Sequence, residues 1–499
     1  MRKQQIAAPR QPQQEEGTLN KHHLLVGVAA SALAVTPVGA AAQQAPTPAP
    51  AGPAFSNTTL LSSASPYAFP LHPGATTEPH SGQAGNSEPA IAFGGPGNVM
   101  AVDGLGQMSV QVNLWKGHFG DTPPAYFGAM DTFLPSNGAG RVTVGDGDAD
   151  VEVTSAGTVL LADLDTLVNP GVLGGHAPLS SARFGVSVTR CPAEASGPSG
   201  CTTTPIDVAG ADRQWITTDG ENAWLSYHDS VESELIRVWH STDDGRTWTR
   251  VASPIPGQGP VTSGASANNR VGPIVADPQS GNVYQVFMSG EASAAKGTND
   301  DYNNVYVSRS TDGGKSWKAQ LVYHAPRFTN LSNFWPTLAV DSATGALWTA
   351  WSDQRGVWAS SSSDRGDHWS TPLKVSAAEV NTAVMPSVAA RNGKVDVVYY
   401  GSTADSVDDA SAVWNVYDAQ LQGGLWSNGL VSNAPNHVGR ICVEGEECTG
   451  DRELLDLFEV AEDPATGKAA VVYTDTTIDT WTLAGVTQQL PQIVLAYEQ

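Results

Sequence analysis

The chain has 499 residues and carries 26 Lys and Arg against 50 Asp and Glu, a formal net charge of −24. That balance excludes a nucleic-acid backbone or an anionic membrane surface as partner, because both are held by clustered basic residues. With 40% hydrophobic residues, 14 Trp, 51 Gly and 33 Pro, the composition excludes wholesale disorder and describes a large core joined by many turns.

Residues 1–42 read as an export signal. Lys21, His22 and His23 precede an apolar, small-residue run at 24–35, and Pro37 and three alanines at 40–42 offer a cleavage site of the A-x-A type. A retained anchor is the alternative, but the run is shorter than the roughly 20 apolar residues that cross a bilayer. Residues 43–56 form a Pro/Ala-rich linker that has nothing with which to build a core. No later segment is long and apolar enough to span. A secreted, cell-surface or periplasmic protein is expected, free of the membrane once the signal is cleaved.

Residues 57–499 read as all-β. An apolar strand, an Asp-containing turn and a second apolar strand recur at 215–219 with 223–227, 272–277 with 283–287, 337–341 with 347–351, and 458–463 with 469–473. Weaker copies begin near Glu88, Asp148 and Met385. A second motif, S-x-D-x-G-x-x-W, appears three times: Ser241, Asp243, Gly245, Trp248; Ser310, Asp312, Gly314, Trp317; and Ser362, Asp364, Gly366, Trp369. Asp accepts backbone N–H groups in an Asx-turn, Gly permits a positive φ, and Trp folds back as a large apolar ring against its own strands. Each copy therefore joins two antiparallel strands. Four strands per unit of about 40–50 residues is a single β-propeller. Starts near 88, 148, 212, 271, 335, 385 and 456 give seven blades, with six as the alternative. The last unit is one strand short, and an N-terminal strand near residues 58–62 can close the ring and remove its free edges.

Four cysteines fall in two local pairs, Cys191 with Cys201 and Cys442 with Cys448, each able to close its own disulfide loop in an oxidising compartment. A four-Cys zinc site is the competing reading, and neither pair has C-x-x-C spacing. The repeats resemble the Asp-box (BNR-repeat) propellers of the sialidase superfamily, over nearly the whole mature chain. That resemblance implies that the Asp-box residues sit on the rim away from the active site and are structural.

Propeller ligands gather at one end of the channel, near the starts of the innermost strands and the loops after the second strands. Those positions hold Glu88, Asp148, Asp212, Arg213, Arg270, Asp451, Arg452 and Asp456, and then Asp163, Asp229, Asp353, Arg355 and Asp475. The bland reading is strand capping and pairing between blades. Jointly, so many like charges repel unless a ligand, protons or a metal compensate them. Sialidases clamp a substrate carboxylate with three arginines and use an Asp acid/base with a Tyr–Glu nucleophile. By resemblance, Arg213, Arg270 and Arg452 would form the clamp, Asp212 or Asp229 the acid/base, and Glu88 would activate Tyr227 or Tyr302. Asp353, Arg355, Asp456 and Trp335 would contact substrate, Trp335 by stacking on a sugar ring. The family's first-blade Arg-Ile-Pro is absent here, where Ser87-Glu88-Pro89 stands.

No motif requires a cofactor. Asp146, Asp148 and Asp150 have the spacing that opens a calcium loop but lack its turn glycine and closing Glu, which rejects an EF-hand; a looser calcium site there or at residues 299–301 stays open. The expected function is a sialidase-like glycoside hydrolase acting as a monomer on terminal acidic sugars of extracellular glycans. The alternative is a non-catalytic propeller that binds glycan or protein through the same face.

Overall fold

A computed structural model describes residues 52–61, 85–106, 111–130, 142–168, 183–207, 211–229, 235–255, 269–290, 302–326, 329–443, 448, 451–483 and 486–499. The expected signal and most of the linker lie outside the described residues. Seven antiparallel sheets follow one another along the chain. Their innermost strands are Ile91–Gly94, Val142–Val153, Ala211–Asp219, Asn269–Asp277, Thr337–Val340, Thr382–Arg391 and Glu459–Glu462, and each touches the next in a closed circle. The protein is a seven-bladed β-propeller, and the six-blade alternative falls. Blade 7 is completed from the other end of the chain: Phe55–Leu60 pairs antiparallel with Val486–Glu498, from Phe55 opposite Glu498 to Leu60 opposite Ile493. This is the expected closing strand, beginning at Phe55 inside the stretch assigned to the linker.

The apolar faces of twisted sheets must be buried against something, and here each is buried against the neighbouring blade. Seven hydrophobic clusters occupy the seven interfaces. Ala92, Leu114, Val151 and Leu161 fill blades 1/2, and Leu160, Val188, Leu225 and Tyr227 fill blades 2/3. Tyr400, Trp414, Val471 and Tyr473 fill blades 6/7, and Met100, Trp115, Leu495 and Tyr497 fill the closure between blades 7 and 1. Side chains also latch successive inner strands: Asp150 Oδ2 accepts the Ile216 N–H at 2.7 Å, and Glu459 Oε2 accepts the Ile91 N–H at 3.1 Å.

The three S-x-D-x-G-x-x-W turns share one hydrogen-bond pattern. Asp243, Asp312 and Asp364 accept the N–H of Thr247, Ser316 and His368 at 2.8, 2.9 and 2.9 Å. Ser241, Ser310 and Ser362 donate to those carboxylates and accept the N–H of Gly245, Gly314 and Gly366. These glycines have φ of +76°, +91° and +88°, and a Cβ would strike Leu160 or Val251 of the preceding blade at the first two. The tryptophans differ from expectation. Trp248, Trp317 and Trp369 pack into the interface with the preceding blade rather than on their own strands alone, because that is where unfilled apolar surface remains. Both local disulfides are present, so the zinc alternative falls. Cys191–Cys201 ties the third strand of blade 2 to its fourth; closing a loop of this size restricts the unfolded chain by about 3 kcal/mol.

Candidate functional site

The mouth at the starts of the inner strands is built by backbone bulges. Glu88, Arg213 and Met385, at equivalent places in blades 1, 3 and 6, have φ of +48°, +46° and +53°. Pairing slips at Asp212/Gln214 and at Val384/Ser387. A left-handed conformation costs a non-glycine residue about 1 kcal/mol, and a bulge re-aims the side chain it carries. At Glu88 and Arg213 the re-aimed groups are charged, and each is 1% exposed.

Five of the expected residues come together: Glu88, Asp148, Arg213, Arg452 and Asp456. Glu88 Oε1 accepts the Asp456 N–H at 2.8 Å, and Glu88 hydrogen-bonds to Asp148. Arg452 Nη2 donates to Asp456 Oδ2 at 2.6 Å. Arg213 Nη1 lies 4.0 Å from Asp148 Oδ2, and its guanidinium rests 4.0 Å over the Trp215 ring. None of the three Arg213 nitrogens Nε, Nη1 and Nη2 has a hydrogen-bond partner, and neither do Asp456 Oδ1 and Arg452 Nε. A buried cation with unfilled donor sites is costly, so the arrangement is underfilled on the side of the acceptor.

Burial, more than any neighbour, pushes the Glu88 carboxyl well above its ordinary range; Asp148 and Asp456 raise it further and Arg213 opposes them. Burial also raises Asp456, against the pull of Arg452. Beneath this layer stand Asp103, Asp150 and Glu459. Each accepts a backbone N–H, and each is raised by burial and lowered by Arg213. Asp150 reaches about 7. One guanidinium therefore faces six carboxyl groups contributed by blades 1, 2 and 7. Below them the inner strands enclose a channel of about 360 Å³, lined in part by Glu152, Trp215, Arg391 and Glu462.

The other expected residues sit elsewhere. Tyr227 is fully buried between blades 2 and 3, its hydroxyl donating to Asp207 and accepting from Trp239 Nε1 at 3.2 Å. It is not placed against Glu88, so the expected Glu88–Tyr227 pair is corrected. The tyrosine lies on the second strand opposite Gln214, and its ring packs into the interface between blades 2 and 3. Asp229 receives Arg237 through Nε and Nη2 at 2.9 and 2.6 Å and is part of that ion pair. Asp212 lies opposite His228. Asp353 accepts Trp358 Nε1 at 2.9 Å and the Arg355 N–H at 3.0 Å, closing a turn that leaves Arg355 exposed. Arg270 lies 5.2 Å from the Tyr302 ring centre and 5.6 Å from that of Trp335. The Asp146–Asp150 segment weighed as a calcium loop is part of an inner strand. Residues 299–301 lie outside the described residues. Among the described residues no group of three or more His, Cys, Asp or Glu has metal-holding geometry.

Asp103, Glu152, Glu459 and Trp215 were not expected as site residues, and Asp150 was weighed only for a calcium site. The alternation Asp148-x-Asp150-x-Glu152 carries the signal for Asp150 and Glu152, since residues two apart share a face of a strand. Asp103 has no such signature.

No family model and no curated protein matches this chain. Among solved structures, a Dyadobacter fermentans protein of unknown function is similar at TM-score 0.43 and 11% identity, over 89% of this chain and 98% of that one. Trypanosoma rangeli sialidase is similar at 0.43 and 11%, over 89% of this chain and 60% of the sialidase. An ulvan lyase is similar at 0.47 and 11%, over 82% and 94%.

Proposed function

We propose that the chain is an exported, sialidase-like glycoside hydrolase that releases terminal sugars from acidic extracellular glycans. The observation that carries this reading is a buried carboxyl group, Glu88, pushed well above its ordinary range by burial and hydrogen-bonded to Asp148 beside an underfilled guanidinium. A carboxylic acid that keeps its proton near neutral pH is what a general acid needs. Glu88 gives its proton to the leaving glycosidic oxygen as the bond to the anomeric carbon breaks. Water adds to that carbon, and its surplus proton returns to the carboxyl pair through Asp148. Asp456, steadied by Arg452, faces the positive charge that develops on the sugar.

Purified chain is assayed with fluorogenic α-sialoside and β-glucuronide and by reducing-end release from galacturonate oligosaccharides. Turnover is expected to fall by a factor on the order of 10²–10⁴ in Glu88→Gln. Turnover unchanged in Glu88→Gln removes it as the acid. The second reading, a propeller that binds glycan without cleaving it, is favoured by the 1% exposure of Glu88 and Arg213. It stands if folded wild-type chain turns over none of these substrates.

A further inference from the structure

The three arginines at the mouth differ in what neutralises them. Arg213 is surrounded by carboxyl groups, and Arg452 is ion-paired with Asp456 at 2.6 Å. Arg270 has no acidic partner among the described residues. Its guanidinium is held over two rings, 5.2 Å from Tyr302 and 5.6 Å from Trp335, and its Nε has no hydrogen-bond partner. Trp335 Nε1 is likewise buried without a partner. The Trp335 ring lines a small hollow together with Trp215, Met385, Phe458 and Asp456.

An anionic ligand meets a chain of net charge −24 whose mouth holds Glu88, Asp148 and Asp456. A negative group placed there is repelled, whereas Arg270 offers a cation that no carboxylate among the described residues neutralises. Stacking on rings leaves the planar edge of a guanidinium free for a two-oxygen acceptor, and an indole face beside it suits the apolar face of a sugar ring. Resting on the hydrolase reading above, we propose that Arg270, Tyr302 and Trp335 form a subsite for the sugar unit next to the one released. That unit carries an oxyanion, either a uronate carboxylate or a sulfate ester.

Calorimetric titration of the purified full chain with galacturonate, dextran sulfate and neutral dextran oligosaccharides tests this. Binding of at least one anionic probe and not of the neutral one is expected, and the better probe distinguishes carboxylate from sulfate. Arg270→Gln is expected to weaken that binding about tenfold or more, the loss of a charge-assisted contact. Arg270→Lys keeps the charge without the planar fork and should fall between wild type and Arg270→Gln, and Trp335→Ala should weaken binding as well. Wild-type chain that binds neither anionic probe, or an Arg270→Gln variant that binds as wild type does, overturns the proposal. Arg270-dependent binding in a chain that hydrolyses nothing supports the subsite while removing the hydrolase reading.

Discussion

The turns on blades 3 to 5 and the mouth at the opposite end of the inner strands use the same side chain in opposite ways. Asp312, on the rim, accepts Ser316 Oγ at 2.6 Å, the Ser316 N–H at 2.9 Å and Ser310 Oγ at 2.9 Å, and those donors hold it down at about 2. Asp364 is lowered in the same way, first by His368. At the mouth and beneath it, carboxyl oxygens and donors fail to meet, and the three Arg213 nitrogens donate to nothing. Asp456 Oδ1 and Asp103 Oδ2 have no donor, and burial drives the carboxyl groups upward. Donor supply, not residue type, separates a carboxylate that builds a turn from one that is kept ready to hold or give a proton.

The largest effect should come from removing the guanidinium on which the mouth depends. Arg213→Met leaves Glu88, Asp103, Asp150, Asp456 and Glu459 without the one charge that lowers all of them. Loss of one member of a buried charged set costs about 3–5 kcal/mol. The loss should be larger at pH 8 than at pH 5, since acid supplies protons in place of the guanidinium. Thermal melts of wild type and variant at both pH values check this, and an equal loss at the two would mean Arg213 acts only as packing on Trp215.

The two regions should also give thermal stability opposite slopes with pH. Rim carboxylates are lowered on folding, so their contribution is complete above about pH 4 and is lost as pH falls through about 2. Mouth carboxyls are raised on folding, so the folded chain binds more protons than the unfolded one. Their contribution is complete below about pH 4 and is lost as pH rises through about 7 for Asp150 and about 8 for Glu152, which burial and Asp150 both raise. Glu152 borders the channel, and part of its surface reaches the lumen. The melting temperature is therefore expected to peak in mild acid. Asp312→Ala should flatten only the acid limb and Asp150→Asn only the limb above neutrality. A single limb altered by both would erase the distinction.

Much of the fold was legible because its signals are local. Each blade start is an apolar run before an Asp turn, and each Asp turn needs its own Ser, Gly and Trp within eight residues. The Trp faces were not legible, since the surface they cover belongs to the preceding blade. The site was legible as positions and not as partners. Glu88, Arg213, Arg452 and Asp456 lie at strand starts, so their convergence follows from blade geometry. Asp103 is a second-strand residue that reaches the Ala90 N–H at 2.8 Å, a contact between strands that spacing does not announce. The carboxylate spacing of Asp146, Asp148 and Asp150 suggests a calcium loop, whereas the fold makes the segment part of an inner strand. A channel between inner strands is where such a strand can exist.

Tyr227 offers the smallest expected effect and the cleanest separation of sequence position from geometry. A tyrosine activated by Glu88 would be a nucleophile, and its loss would remove several orders of magnitude of turnover. In the fold its hydroxyl is a donor to Asp207 across blades 2 and 3. Burial and that hydrogen bond push it far above the ordinary tyrosine range, which suits a donor and not a nucleophile. Tyr227→Phe keeps the ring that fills the interface and removes one buried donor to Asp207 and the acceptor of Trp239 Nε1, a loss of about 1–3 kcal/mol of stability. Turnover should stay within about twofold of wild type, a change of under 0.5 kcal/mol in barrier. A loss of a hundredfold or more in folded Tyr227→Phe would mean that the second strand of blade 3 reaches the reacting sugar, and the carboxyl pair at Glu88 and Asp148 would then not act alone.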